Sequence, residues 1–431
     1  MIKFGGTSVG DGDAFLRAAN IAADAARERP VAVVVSAMAG TTDALLGVAR
    51  ATVQTTSGEA SRTPNDASRE GVVREVALSR VYRALADRHL RAARESVRGE
   101  LLPEVEGRIH EILWSLIEAV DAPAENLAAR GDAIVSLGER LSACILAGAM
   151  SGLCAPAAVA SADPIATDGG FGAAEVLARE TRSRAQKYVR PLLEEGTVAV
   201  VPGYVGSGPD AAVTTLGRGG SDLSATVLGR ALGSEEVWIL SDVDGVLDAD
   251  PDLIPSAALI PRLSYREAGQ FASLGAKVLH PRTTEPASAA GMEVRIRSTF
   301  NPSSEGTLIS YREGGPGVRS VALRRGLTIS HAPPGIVEDA FCVLGADADG
   351  LKVLTDGAGL AAVVCIGAPT DRDLLAGLRC LREVNVRPLF AGNASTGLLF
   401  AVAEEDAETT LHALHAGLIP AATLASMEEV A

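Results

Sequence analysis

Lys3 and Phe4 run into the glycine pair Gly5–Gly6, and Thr7 and Ser8 follow at once in the opening stretch "MIKFGGTSVG". These residue types in this order suit a phosphate grip. Glycines let backbone N–H groups approach an anion closely, lysine supplies charge, and hydroxyls add donors. A plain turn after a short strand uses the same glycines, so the opening alone does not decide.

A second stretch, "TTLGRGGSDLSATVLGRAL", places Arg218 between Gly217 and Gly219 ahead of a helix expected to begin near Ser221 or Asp222. Either residue is a natural N-cap. Arg218 goes beyond capping: a guanidinium on an open glycine turn at a helix N-terminus can hold a carboxylate or phosphate. "SDVDGVLDADPDLIPSA" crowds acidic residues behind a strand. It lacks the EF-hand series, which leaves a turn with Asx caps, or a strand end where Ser241 and Asp242 meet a nucleotide. Lys277 in "SLGAKVLHPRT" is either a surface lysine or a partner to Lys3 across a phosphate. Glu139 in "VSLGERLSA" is expected at the start of an amphipathic helix, where it favours the helix dipole. Its other possible task is to hold a substrate ammonium. Together these groups suit phosphoryl transfer from ATP to a small zwitterionic acid, chemistry that rests on positioning and charge neutralisation. No Walker A pattern is present.

The elements that must position these residues read as α/β. "VAVVVSAMAGTTDALL", "GTVAVVPGYVG", "EVWILSDVDGV" and "MEVRIRST" are apolar runs of buried parallel strands, with helical stretches such as "GERLSACILAGAM" between them. Alternation of this kind implies a mostly parallel sheet sandwiched by helices, with ligands beyond the carboxyl ends of the strands. Residues 55–120 are charged and helical, and read as an insertion covering the core. A linker at 311–318 separates residues 1–310 from a C-terminal α+β module over 319–431. In that module short strands at Val318–Leu323, "GLTISHA", "LAAVVCIGA" and "TGLLFAVA" alternate with two helices.

With 431 residues, 47% hydrophobic and only 3% aromatic, the chain is globular and its core must be aliphatic. A formal net charge of −15 argues against nucleic-acid or anionic-membrane partners. The five cysteines are scattered, with no CxxC, as in a reducing compartment. His412 and His415 lack the partners of a metal site and read as surface or packing residues. Neither a targeting segment nor a membrane span is evident, so the cytoplasm is the expected location.

"KFGGTSVG", "VVVSAMAGTTDALL", "SLGERLSA", "TTLGRGGSDLSAT", "SDVDGVLDADP", "LGAKVLHPRT" and "NPSSEGTL" together resemble the aspartokinase branch of the amino-acid kinase superfamily over residues 1 to about 310. The resemblance implies an amino-acid kinase sandwich followed by an ACT-like, ferredoxin-like regulatory region. It implies a kinase that uses ATP and Mg²⁺ to make 4-phospho-L-aspartate from L-aspartate, and a homodimer or higher oligomer formed through the ACT-like region. Lys3 and Lys277 would neutralise the transferring phosphoryl group, and Asp222 would orient them. Gly5, Gly6, Thr7 and Ser8 would line the phosphate path, and Ser241, Asp242 and Leu247 would meet the nucleotide. Arg218 would clamp a substrate carboxylate beside Ser221 and Thr42. Glu139 would bind the substrate ammonium, and Tyr204 would stand where the family usually has Phe. No residue is expected to hold a metal directly, since Mg²⁺ would ride on the phosphates.

The chain departs from the family pattern in two places. Leu247 and Asp252 replace an aromatic and an arginine, which predicts weakened ATP binding, or another cation in the arginine's place; the ATP Michaelis constant of Asp252→Arg, expected to improve, tests this. The tail is abbreviated before "LAAVVCIGA", and its effector loop reads "GAPTDRD". Lysine and threonine are therefore expected to inhibit weakly or not at all. An aspartate analogue as the acceptor, or a degraded regulatory subunit, are the alternatives.

Overall fold

The computed structural model describes residues 1–56, 64–122, 126–153, 155–273, 279, 281–312, 315–332, 342–347, 350–394 and 397–419. They fall into two compact units, which do not follow chain order. The first is Met1–Asp244 with Arg282–Glu305, and the second is Gly245–Pro281 with Gly306–Ala431.

In the first unit β1 (Ile2–Phe4), α1 (Gly12–Ala26), β2 (Ala32–Val35) and α2 (Thr41–Thr56) precede three long helices, α3 (Pro64–Ser96), α4 (Leu102–Asp121) and α5 (Leu127–Ser151). Then come β3 (Ala157–Val159), α6 (Ala178–Tyr188), α7 (Arg190–Glu194), β4 (Val198–Pro202), β5 (Val205–Ser207), β6 (Val213–Thr215), α8 (Gly220–Leu232) and β7 (Glu236–Ser241). In the second unit, β8 (Arg262–Ser264) and α9 (Tyr265–Ser273) follow. The chain then gives α10 (Pro281–Ala290) and β9 (Glu293–Ser298). The strands β3-β4-β2-β1-β7-β9 lie side by side in that order, every pairing parallel. The apolar runs of β1, β2 and β4 have the composition of strands buried on both faces, whereas β9 alternates, with Val294 and Ile296 buried and Arg295 and Arg297 half-buried.

Alternation along β1 sorts its side chains. Ile2 and Phe4 enter a core with Val33 and Val35 of β2, Phe15 of α1 and Ile134, Leu141 and Ile145 of α5. Lys3 points to the other face, where α8 packs on β1, β2 and β7. The large core side chains are mostly aliphatic, as the low aromatic content requires. Among the described residues α5 is the helix long and apolar enough to cross a membrane, and it is the buried core helix of this unit.

In the second unit β8 pairs in parallel with β10 (Thr307–Ser310). Beyond them lie β11 (Gly317–Ala332), β12 (Cys342–Asp347), β13 (Gly350–Asp356), β14 (Leu360–Ala368), α11 (Asp371–Glu383), β15 (Phe390–Ala394), β16 (Gly397–Ala403) and α12 (Ala407–Leu418). They form an antiparallel sheet in the order β12-β13-β11-β14-β16-β15. Val363 and Cys365 of β14 and Phe400 of β16 pack against Leu381 of α11 and Leu411 and Leu414 of α12.

Three local expectations are corrected. Glu139 does not start a helix: α5 begins at Leu127, capped by Asn126, whose side chain accepts from the N–H groups of Ala128 and Ala129. Gly138, just before Glu139, is a close contact point, since a Cβ there would stand 2.8 Å from Ala37 Cβ. Neither Ser221 nor Asp222 caps α8: Gly219, at φ 70°, takes that place with no side-chain bond. The two strands expected at Val318–Leu323 and "GLTISHA" are one strand, β11, whose register shifts between Arg324 and Leu327 around Gly326 at φ 69°.

Candidate active site

A cavity of about 410 Å³ opens in the first unit beyond the carboxyl ends of β1, β2 and β4. Its lining includes Lys3, Gly6, Thr42, Glu139, Tyr204, Ser221 and Asp222.

Lys3 is almost fully buried, and its Nζ stands 2.5 Å from Asp222 Oδ1. The glycine cap of α8 makes this pairing possible, because Asp222 is not spent on capping. Ammonium and carboxylate hold each other at the cavity wall with only 10% and 21% of their side chains exposed, respectively. Gly6 is where two loops meet. A Cβ on it would stand 2.8 Å from the Ala37 carbonyl oxygen, and its own carbonyl accepts the Ala39 N–H at 3.1 Å.

Glu139 enters from the middle of α5 and is 3% exposed. Its Oε2 has no hydrogen-bond partner. Burial pushes its carboxyl up to about 8, against smaller lowering by backbone N–H groups and the Arg140 charge. A buried acid with an unfilled oxygen on a cavity wall suits a cationic ligand group. Tyr204 closes another wall at φ 65°, a backbone region costing a non-glycine residue about 1 kcal/mol or more. Its N–H donates to Ser224 Oγ and its carbonyl accepts from Leu216 N–H, each at 3.0 Å. The ring fits because residue 220 is glycine: a Cβ there would lie 2.6 Å from Tyr204 Cδ2. Burial raises the phenol above its ordinary pKa.

Other residues singled out by sequence stand elsewhere. Gly5 is buried beside Lys3, but its N–H is donated to the Leu240 carbonyl at 2.9 Å. Thr7 is exposed in a short 3₁₀ turn. Ser8 is fully buried, with its hydroxyl 2.6 Å from Thr299 Oγ1, so it joins the 3₁₀ turn after β1 to the residue that follows β9. Arg218 is exposed on the glycine turn outside the lining. Ser241 ends β7, and Asp242 is exposed after it. Leu247 belongs to the second unit, bridged to Leu259, where Asp252 is exposed. Lys277 lies outside the described residues.

The acidic loop contains one Asx turn, at Asp250, and a longer tie in which Asp248 holds the far side of the loop. Asp248 Oδ1 accepts from Ala258 N–H and Asp250 Oδ1 from Asp252 N–H, each at 3.0 Å. His415 of α12 lies 3.1 Å from Asp248 Oδ1. No cluster of three or more His, Cys, Asp or Glu able to hold a metal occurs among the described residues.

Sequence reasoning missed Asp132. Buried in α5, it accepts from Gly172 N–H, and from Thr215 N–H at 2.7 Å and Thr215 hydroxyl at 3.0 Å. It thereby fixes β6, the strand leading to the Gly217–Gly220 turn. Nothing in the sequence marks it out, because its partners arrive from distant segments.

The sequence pattern described as the amino acid kinase family matches residues 1–298. The chain is similar to aspartokinase 2, chloroplastic, of Arabidopsis thaliana: 34% identical over 334 residues, 76% of this chain and 58% of that protein. The chain thus spans less than two thirds of that relative's length. An aspartokinase of Chlamydia trachomatis is 31% identical over 327 residues, 75% of this chain and 68% of that protein. The crystal structure of E. coli aspartokinase III in complex with aspartate and ADP superposes with a TM-score of 0.71 at 27% identity, over 97% of this chain and 99% of that one.

Proposed function

We propose an activity for this chain, which belongs to the amino acid kinase family and, within it, to the aspartokinases: transfer of the γ-phosphoryl group of ATP to the side-chain carboxylate of L-aspartate. The observation that carries the proposal is the Lys3–Asp222 pair sharing one small cavity with the buried carboxyl of Glu139, whose Oε2 has no hydrogen-bond partner. One wall offers a fixed cation for a phosphoryl group, and the other a buried acid for an ammonium.

In this reading the aspartate ammonium pairs with Glu139, which gives up its proton as the cation arrives. Thr42 and Ser221 flank the substrate, Tyr204 sets the pocket's width, and Arg218 swings in on its glycine turn to clamp a carboxylate. The free side-chain carboxylate attacks the γ-phosphorus in line, the bond to the bridging oxygen breaks, and ADP leaves. Lys3, held by Asp222, meets the charge on the transferring group, and Lys277 is its proposed second cation. Stabilisation is electrostatic and needs no covalent enzyme intermediate. Ser241 and Asp242 are assigned to the nucleotide, and the Gly5–Ser8 segment to the phosphate path. The cavity's carboxylates are few, Asp43 and Asp222 beside Glu139, which fits a Mg²⁺ ion held chiefly by phosphate oxygens. Such an ion would supply charge neutralisation. We place the enzyme in the cytoplasm. Self-association through the second unit is supported by the exposed apolar side chains Leu375, Val384 and Leu389 there.

The test is ATP-dependent acyl-phosphate formation, trapped with hydroxylamine, on L-aspartate and on aspartate analogues. Turnover on L-aspartate is expected. Turnover on an analogue alone would reassign the substrate, and silence across the panel would overturn the activity.

A further inference from the structure

Helix α3 looks like a cover, yet one of its side chains reaches both loops that line the candidate active site. Arg88 Nη1 donates to the Ala39 carbonyl at 2.6 Å, and Nη2 donates to the Gly10 carbonyl at 3.1 Å. Ala39 lies on the cavity wall, in the turn between β2 and α2. Gly10 closes the 3₁₀ turn that follows Gly5 and Gly6. The same two loops touch directly only a few residues away, where Ala39 N–H donates to Gly6 carbonyl.

The base of this side chain is well anchored. His89 beside it is fully buried, with Nδ1 2.7 Å from the Leu85 carbonyl, and burial lowers its pKa to about 4, so it packs as a neutral ring. Leu85 and Leu90 belong to the main core. The guanidinium fork is rigid and planar, so it fixes two carbonyls at a set separation in a way a single ammonium cannot. The loops it joins carry Gly6, Ser36 and Gly40, which line the cavity, and the second loop leads into Thr42 and Asp43 at the start of α2.

We propose that Arg88 is a positioning residue for phosphoryl transfer, stapling the 5–10 loop to the 36–40 loop and so setting the distance between the phosphate side and the acceptor side of the cavity. The proposal rests on the activity proposed above. It gives α3 a part in the chemistry without contact with substrate. A misplacement of about 1 Å in such a site costs up to about a hundredfold in rate.

The experiment compares wild type, Arg88→Ala and Arg88→Lys by hydroxamate kinetics, melting temperature and amide hydrogen exchange. Arg88→Ala is expected to lower kcat/KM for aspartate by about ten- to a hundredfold, with faster exchange in residues 5–10 and 36–40 and unchanged exchange in β4. Arg88→Lys, which can reach one carbonyl at a time, recovers part of the rate, and millimolar guanidinium restores part of it to Arg88→Ala. Unchanged exchange in both loops, or wild-type kinetics in Arg88→Ala, would overturn the proposal. So would a rate loss that tracks lowered melting temperature alone, without guanidinium rescue. An inactive wild type would refute the activity instead; with it falls the catalytic part of this proposal, and exchange in the two loops then decides whether the staple exists.

Discussion

Two cavities of the first unit make a contrast, and the larger is the one whose arginines are all engaged. It measures about 1330 Å³ and lies between α4, α5, β3 and α6. Its cations are all engaged: Arg108 with Glu111 at 2.8 Å, Arg140 with Asp163 at 2.6 Å, and Arg184 with the Ser207 carbonyl at 3.1 Å. The smaller cavity, about 410 Å³, carries a buried acid with an unpartnered oxygen and a lysine held by one carboxylate. Volume records where elements fail to meet. An unpartnered buried polar atom records where folding free energy is given up, and a ligand can supply the missing partner.

The sharpest way to break this contrast is to remove the fixed cation. Lys3→Ala should reduce aspartyl-hydroxamate formation by roughly a hundredfold or more, as when a preorganised charge-stabilising group is deleted. Activity within a few-fold of wild type would mean that the smaller cavity is not where phosphoryl transfer occurs.

Glu139→Gln comes next. With the acid gone, aspartate affinity measured by calorimetry should fall by at least about tenfold, the loss of one strong ionic contact. Wild-type affinity should rise with pH up to about 8, because ammonium binding expels the proton that burial holds on Glu139. Stability should run the opposite way. Between the ordinary value of 4.5 and about 8 the folded chain keeps a proton that the unfolded chain has lost. That contribution therefore declines as pH rises through the window. Denaturation of the empty enzyme across this range should show the decline, and Glu139→Gln should flatten it. A wild-type profile with no such slope would remove the case for a neutral, poised acid.

Arg140 links the two cavities: its side chain lines the larger, while its charge eases ionisation of Glu139 in the smaller. Arg140→Gln should move the pH midpoint of aspartate binding upward by a fraction of a unit to about one unit. An unmoved midpoint would show that Glu139 does not govern binding. The smallest effect belongs to Arg108→Ala, which removes an exposed pair worth about 0–1 kcal/mol and should leave kcat and KM within about twofold. A large kinetic effect there would make the bigger cavity a second functional site.

Legibility differed from element to element. β2, β4 and β7 are local apolar runs and β9 alternates apolar with charged residues, and each lies in the stretch where a strand is expected. α5 was harder, because its helical pattern around Glu139 is local while its true start, the Asn126 cap, lies well upstream. β11 hid behind Gly326, whose positive φ lets a strand bulge and continue. In the candidate site, the glycine turns and Lys3 advertise themselves by residue type. Asp132 and Arg88 do not, since an aspartate in a helix and an arginine among many carry no local signal. Ser8 sits in the phosphate-like opening, yet its hydroxyl turns inward to Thr299.

The sequence by itself determined the alternation of strands and helices, the aliphatic core and the membership of a kinase family, because periodicity, composition and short motifs are properties of neighbouring residues. Only the tertiary structure decided that Lys3 meets Asp222, that Glu139 is dry enough to hold a proton near neutral pH, and that Arg88 reaches two loops at once. Each depends on segments far apart in the chain sharing one low-dielectric space, and burial of that kind exists only after the chain has packed.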